Sequence, residues 1–210
     1  MDMHLKNVDL LLDLREHTIP LLNLRQTVYD FVKDWDAAKE GCDVGFRKEA
    51  IVFDTARGMI ICSEKGSVRG RFCAGDAEGA ATTVLQVLGW ICTQFAWDLV
   101  KQELVMDLDI AYEIPMQDPA VTLESFVNKE MISQWLGLTP TGIGYKFFLT
   151  PFSDRNNDRR IQVEPSASDP LTKCFVHVKD LRISVSAGDV QSIVSNTVQL
   201  VRDIATKVSS

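Results

Sequence analysis

Three carboxylates alternate with apolar residues along one segment of the chain. Asp107, Asp109 and Glu113 occupy odd positions between residues 104 and 114, and large apolar residues occupy the even positions. A strand places alternate residues on opposite faces, so the three carboxylates would project from the same face. Carboxylate oxygens suit hard divalent cations, and a metal held by Asp107 and Asp109 is one interpretation. We favour the other interpretation, the solvated outer face of an antiparallel strand, because alternation alone produces this pattern.

A segment that contains glycine and arginine precedes a predicted helix. Residues 66–71 read Gly-Ser-Val-Arg-Gly-Arg, and Gly75 and Asp76 follow where the helix begins. The N–H groups at a helix N-terminus can bind phosphate, so Arg69 and Arg71 are candidate anion-binding residues. The segment lacks the Lys-Ser/Thr ending of a P-loop, and Asp76 would place negative charge where the anion binds. We therefore favour a hairpin followed by a helix that Asp76 caps.

The three histidines form no recognisable catalytic arrangement. Cys174 and His177 are three residues apart on a predicted strand, which places them on opposite faces and does not suit one metal ion. His17 precedes a predicted helix, where a surface contact is the usual role, and His4 lies near the N-terminus. We therefore predict no catalytic residue, no metal and no cofactor, and an enzyme remains the alternative.

The predicted helix that begins at Asp76 carries the candidate interface. Val84, Leu88 and Ile91 form its core side, whereas the other side is small, weakly polar or aromatic. Trp90 and Trp97 are seven residues apart, so a continuous helix would place both on one face, and aromatic residues are enriched at protein interfaces. The candidate interface residues are Thr82, Gln86, Trp90, Thr93 and Trp97.

Composition restricts the partners and the compartment. The 210 residues carry a formal net charge of -7, and this acidity disfavours binding to nucleic acid phosphates and to anionic membranes. The five cysteines are odd in number and show no CxxC spacing, which indicates a reducing cytoplasm. The N-terminus shows no signal-peptide pattern. The uncharged run at 79–97 contains several polar residues, so we predict a buried helix and no membrane span.

Hydrophobic periodicity predicts an α+β fold of antiparallel β-meanders packed against long helices. The predicted helices begin near residues 20, 76, 118 and 189, and the first and third end at Gly41 and Gly137. The predicted strands span residues 5–15, 44–54, 59–63, 68–73, 104–114, 143–149, 160–163 and 174–183.

The tripeptide Ala74-Gly75-Asp76 recurs at residues 187–189, each time where a strand gives way to a helix. Each half of the chain reads helix, three strands, helix, and Pro20 corresponds to Pro119. We predict a pseudo-duplicated protein with halves 1–115 and 116–210 in one compact unit. Chance recurrence is the alternative, because proline, glycine and aspartate are common at helix ends.

We expect a non-catalytic cytoplasmic protein-binding or assembly module that acts as a homo-oligomer, such as a dimer, or within a complex. Outer strands of the predicted meanders could accept a partner by edge pairing. In outline the predicted shape is similar to SecB-like and secretion chaperones, which implies a chaperone-like role at the level of fold alone. The alternative is a metal-dependent enzyme acting on a phosphate-containing small molecule, with Arg69 and Arg71 as binders and Asp107 and Asp109 around the metal.

Overall fold

The computed structural model describes residues 3–126, 144–149 and 156–208. The helices in this part are α1 (Leu21–Asp34), α2 (Ala77–Gln94), α3 (Pro119–Ser125) and α4 (Ala187–Val208), with 3-10 turns at Asp36–Ala38 and Leu99–Lys101. The strands are β1 (His4–Asp13), β2 (Cys42–Phe46), β3 (Ala50–Thr55), β4 (Gly58–Ser63), β5 (Ser67–Phe72), β6 (Glu103–Pro115), β7 (Tyr145–Phe148), β8 (Asn157–Pro165) and β9 (Lys173–Ser186).

The nine described strands form one antiparallel sheet in the order β2-β3-β4-β5-β1-β6-β9-β8-β7. β1 lies in the middle, paired with β5 and β6, and β2 and β7 lie at the edges. Alternate residues such as Val8, Leu10 and Leu12 are buried beneath the helices, and we call this side the helix face. The residues between them, such as Asp9, belong to the opposite side, which we call the open face.

Both helix starts that the sequence predicts at the repeated tripeptide are confirmed. Asp76 caps α2, because its carboxylate accepts a hydrogen bond from the Gly79 N–H at 2.5 Å. At α4 the Ser186 hydroxyl donates to Asp189 Oδ2 at 2.7 Å and accepts from the Asp189 N–H at 3.3 Å. This pair is the approximate capping box that the sequence predicts, because the Asp189 carboxylate accepts from the Ser186 hydroxyl instead of the Ser186 backbone N–H.

The predicted correspondence between the two tripeptides is weaker than the sequence suggests. Asp76 precedes α2, whereas α4 already begins at Ala187, so Asp189 lies inside its first turn. Pro20 likewise precedes α1, while Pro119 is the first residue of α3. Equivalent residues therefore occupy different positions relative to their helices, and the α+β fold is present without a demonstrated duplication.

One predicted strand is wrong. Residues 44–54 form two strands, β2 and β3, which meet at a tight turn through Lys48 and Glu49. The turn contains no glycine, proline or asparagine, so the sequence carried no turn signal there. The first meander therefore has four strands instead of three. The helix predicted to run from Asp118 to Gly137 begins as α3, and its later part with Gly137 lies outside the described residues.

One hydrophobic core runs through both predicted halves. It includes Leu10 of β1, Val84 of α2, Ile110 of β6 and Val194 of α4. No helix in the described ranges is both long and apolar enough to span a membrane.

Candidate functional site

A groove runs between α1 and α2 on the outside of the helix layer. Its volume is about 620 Å³, and it shares the lining residues Asp36 and Gln86 with a second cavity of about 340 Å³ beside the N-terminus of α2. We call the first and larger space the α1–α2 groove. Its lining residues are Thr27, Asp30, Phe31, Asp34, Trp35, Asp36, Gln86, Trp90 and Gln94.

Stacked aromatic rings form the floor of the α1–α2 groove. The ring of Phe31 lies between Trp90, at a centroid distance of 4.7 Å, and Trp35, at 5.1 Å. Buried Phe53 meets Trp35 and Trp90 edge-on from below. The Trp35 indole N–H donates to the Gln86 side-chain oxygen at 2.9 Å, which holds α1 and α2 together across the groove. Phe31 and Trp90 are only partly buried, so apolar ring area borders solvent.

Two exposed carboxylates on α1 stand at the rim of this aromatic floor. Asp30 and Asp34 are four residues apart, a spacing at which like charges repel each other on a helix. Both also lie in the last turns of α1, where the helix dipole disfavours negative charge. Neither has an ion-pair partner among the residues that the structure describes. The pair therefore opposes the stability of α1 and is left unneutralised at the groove.

The other acidic residues near the groove are paired with basic side chains. Asp36 forms an ion pair with Lys39, and Glu40 receives two hydrogen bonds from Arg57, at 3.1 and 2.8 Å. Negative potential in the α1–α2 groove consequently comes mainly from Asp30 and Asp34.

Three of the five predicted interface residues lie in this region. Gln86 and Trp90 line the α1–α2 groove, and Thr82 with Gln86 lines the adjoining cavity. Thr93 is exposed on α2, and its hydroxyl donates to the Gly89 carbonyl of the preceding turn.

The prediction that Trp97 shares a helix face with Trp90 is wrong. α2 ends at Gln94, and Ala96 has a φ of 54°, so the chain leaves the helix before Trp97. Trp97 stacks instead on His17 at 4.2 Å, and the His17 Nε2 lies 2.8 Å from the Gln102 side-chain oxygen. A residue with positive φ ends a helix whatever apolar periodicity continues beyond it.

The residues of the predicted phosphate and metal site do converge on the open face. Arg69 and Arg71 of β5 lie beside Asp9 of β1, which is directly opposite Asp109 of β6. Arg69 donates two hydrogen bonds to Asp9, both at 2.6 Å, and Arg71 donates one at 3.0 Å. Both candidate anion-binding arginines are thus bound by a carboxylate of the same face.

The two candidate metal ligands are also paired within the chain. His177 Nε2 lies 2.8 Å from Asp109 Oδ1, and this contact holds the pKa of Asp109 below its ordinary value although burial acts in the opposite direction. Lys179 lies 3.6 Å from Asp107. In the described part of the chain, no group of three or more His, Cys, Asp or Glu side chains is arranged to hold a metal ion.

The space between these residues is small. It is about 60 Å³, lined by Asp9, Leu11, Arg69, Asp107, Asp109 and Lys179. A water molecule occupies roughly 30 Å³ and ligand pockets enclose about 300 Å³ or more. The cavity therefore has room for about two water molecules.

Two charged clusters were missed in the sequence. Glu113 is buried, and it accepts hydrogen bonds from Ser166 at 2.6 Å, Ser168 at 2.5 Å and Lys6 at 3.2 Å. Asp180 is buried beneath α4 and forms an ion pair with Arg182 at 3.0 Å. The alternation of apolar residues predicts that Glu113 lies on a solvated outer face. In the structure, the segment 166–168 packs over it and buries it.

The α1 carboxylates were also missed, because hydrophobic periodicity reveals only the apolar stripe of α1. Acidic residues in the last turns of a predicted helix, against the helix dipole, were the signal that could have revealed Asp30 and Asp34. No family model matches the chain, and no curated protein matches it.

Proposed function

We propose that this chain is a non-catalytic protein-binding module that works in an assembly, and that the α1–α2 groove receives a positively charged segment of its partner. The observation that carries the proposal is the pair of carboxylates without a described ion-pair partner, Asp30 and Asp34, at the rim of the partly buried Phe31–Trp90 stack. These carboxylates cost stability where they lie, which a binding role would explain.

The chemistry of the groove suits lysine or arginine side chains. Ring faces attract cations, and a cation over Trp90 would also lie close to the α1 carboxylates. The hydrocarbon stem of lysine or arginine would cover the apolar ring area of Phe31 and Trp90. A net charge of -7 would steer a basic partner towards the chain and increase its association rate.

A defined peptide tests this function. The probe is a synthetic peptide rich in lysine, arginine and leucine, and its reference has glutamate at every basic position. We expect tryptophan fluorescence to report saturable binding of the basic peptide alone, with affinity that falls as salt is added. The double variant Asp30→Asn/Asp34→Asn should bind about tenfold more weakly, because two rim charge contacts are together worth roughly 1.4 kcal/mol.

The matched control is Glu16→Gln/Glu103→Gln, which removes the same charge at two exposed positions outside the groove. It should bind the basic peptide as the wild type does. Equal loss of affinity in both double variants would show a general charge effect, and unchanged affinity in the α1 variant would exclude the groove as the binding site.

The second candidate is the metal-dependent enzyme acting on a phosphate-containing compound. The convergence of Arg69, Asp107 and Asp109 on one small cavity favours it. The existing pairs to Asp9, Lys179 and His177 oppose it, because each would have to break before a ligand could bind. Calorimetric titration with magnesium, manganese and a nucleoside triphosphate tests it, and absence of heat under all conditions would remove it.

Two broader parts of the proposal concern location and origin. The five cysteines are all unpaired, which supports a reducing cytoplasm. The order of strands outward from the centre is β1-β5-β4-β3-β2 on one side and β6-β9-β8-β7 on the other, so the first series has one strand more than the second. Each series begins with a strand that leads to a helix and closes with a meander, which supports duplicated units joined at the β1–β6 pair.

A further inference from the structure

The edge strand β2 presents backbone groups that have no partner among the described strands. Arg47 N–H donates to the Ala50 carbonyl at 2.8 Å, which fixes the hydrogen-bonded positions of the β2–β3 pair as Arg47, Gly45 and Asp43. The N–H and C=O groups of Val44 and Phe46 consequently point away from the sheet. β2 contains no lysine, proline or bulge, which are the usual protections of an edge strand.

Two carboxylates that face each other lie at this edge of the sheet. Asp43 and Asp54 are directly opposite each other on the open face of β2 and β3, and both are exposed. Like charges in this position are destabilising. Neither carboxylate forms an ion pair with any described residue, and the exposed Arg47 side chain, at the other end of β2, has no described ion pair either.

A second copy of the same strand would balance these charges. If two β2 strands pair antiparallel about a two-fold axis at Gly45, Val44 of one copy lies opposite Phe46 of the other. That register pairs the outward N–H and C=O groups, because Val44 and Phe46 both have them free on this side. It also places Asp43 of each copy opposite Arg47 of the other, on the same face. The contact is therefore self-complementary in both backbone and charge.

α1 adds apolar surface at the same edge of the sheet, on the helix face. Arg25 lies over the Phe46 ring at 5.1 Å and Tyr29 meets that ring at 6.1 Å, so this stripe of α1 borders the C-terminal end of β2. Leu22 belongs to the same stripe, seven residues before Tyr29, and the two side chains are 72% and 61% exposed. Such apolar side chains would be covered if two copies brought their α1 helices together.

We propose that the chain forms a two-fold dimer through β2, which joins two sheets into one continuous antiparallel sheet, with Asp43 of each copy paired to Arg47 of its partner. This specifies the surface of the homo-oligomer that is expected from the sequence. It does not depend on the α1–α2 groove.

Charge reversal on the full chain tests the dimer by sedimentation equilibrium. Wild type should sediment with twice the mass of one chain. Asp43→Arg alone and Arg47→Asp alone should each weaken dimerisation at least tenfold, because like charges then face each other twice. An equimolar mixture of the two variants should dimerise again, because each interface pair in the mixed dimer is then Asp opposite Arg.

The same variants provide a control for correct folding. The side chains of Asp43 and Arg47 make no described contact within one chain, and Asp43→Arg removes the repulsion from Asp54, so this variant should be at least as thermally stable as wild type. A second variant, Leu22→Ser, should also weaken the dimer without touching β2.

Hydrogen exchange gives an independent reading. The N–H groups of Val44 and Phe46 should be protected in wild type and should exchange rapidly in Asp43→Arg. A monomeric wild type up to millimolar concentration, or a dimer indifferent to both charge reversals, would overturn the proposal. Binding of the basic peptide is measured separately, so a monomeric wild type that still binds the peptide contradicts this inference and leaves the groove proposal in place.

Discussion

Glu113 offers a quantitative test of how a buried carboxylate stabilises this fold. It lies on β6 with only 4% of its surface exposed, and it is surrounded by Ser166, Ser168, Lys6 and Lys173. Hydrogen bonds from Ser166 and Ser168, followed by the contact with Lys6, lower the pKa of Glu113 from 4.5 to about 2, although burial acts in the opposite direction. The charged form is therefore the one that the folded protein prefers.

The pKa difference gives the size and direction of the effect. One pKa unit corresponds to about 1.4 kcal/mol, so the fall from 4.5 to about 2 corresponds to roughly 3 kcal/mol of folding free energy. A lowered folded-state pKa means that this stabilisation is fully present above pH 4.5 and is lost as the pH falls towards 2. Acid should therefore weaken the fold across this window.

The perturbation is Glu113→Gln, which keeps the shape and removes the charge. We expect urea unfolding at neutral pH to show a loss of up to roughly 3 kcal/mol, because the neutral amide accepts weaker hydrogen bonds from the two serines than the carboxylate does and loses the attraction to the lysines. The difference between wild type and variant should shrink as the pH falls through the window from 4.5 to about 2.

The matched control is Glu103→Gln, an exposed carboxylate at the start of the same strand. It should change stability by less than about 0.5 kcal/mol at every pH. If Glu113→Gln destabilised the protein by the same amount at neutral and acid pH, the assignment of the lowered pKa to Glu113 would be refuted.

The remaining predictions concern α1 and the close approach of α2 to the sheet. Asp34→Asn should raise stability by about 0.5 kcal/mol in thermal unfolding, because it removes a charge at the wrong end of the helix dipole and relieves repulsion from Asp30; a loss of stability would show that Asp34 has a structural partner. Gly70→Ala should cost about 1–3 kcal/mol, because the new Cβ would lie 2.4 Å from Val84 Cγ2. Gly89→Ala, where the nearest atom is 3.8 Å away, should instead stabilise α2 by up to about 1 kcal/mol. If both alanine variants had the same effect, packing at Gly70 would not be the cause.

Local sequence signals located most helices and strands. They failed where a turn carried no turn-favouring residue and where apolar spacing continued past the end of a helix. Apolar alternation predicted β6, and the Asp76 cap and the Ser186–Asp189 box marked the starts of α2 and α4. The turn between β2 and β3 was missed because its charged residues form a turn without any residue that favours one. The end of α2 was missed because apolar spacing continues through Trp97.

The candidate site was predicted in part. Thr82, Gln86 and Trp90 were chosen from the spacing along α2 alone, and they line the α1–α2 groove and its adjoining cavity. The wall of the groove that α1 forms could not be predicted, because no pattern within one helix shows which other helix packs against it. Phe31 meets Trp90 only through the tertiary arrangement of α1 and α2.

The sequence by itself determined the α+β class, the net negative charge and the faces of the strands, because these follow from composition and from contacts between near neighbours in the chain. Tertiary structure alone decided which charges meet. Asp9 binds Arg69 and Arg71 across 60 and 62 residues, and Glu113 is buried by serines 53 and 55 residues away. The tertiary structure leaves four charged side chains without an ion-pair partner among the described residues: Asp30, Asp34, Asp43 and Arg47. These contacts depend on strand order and register, which bring distant residues together and which local periodicity does not specify.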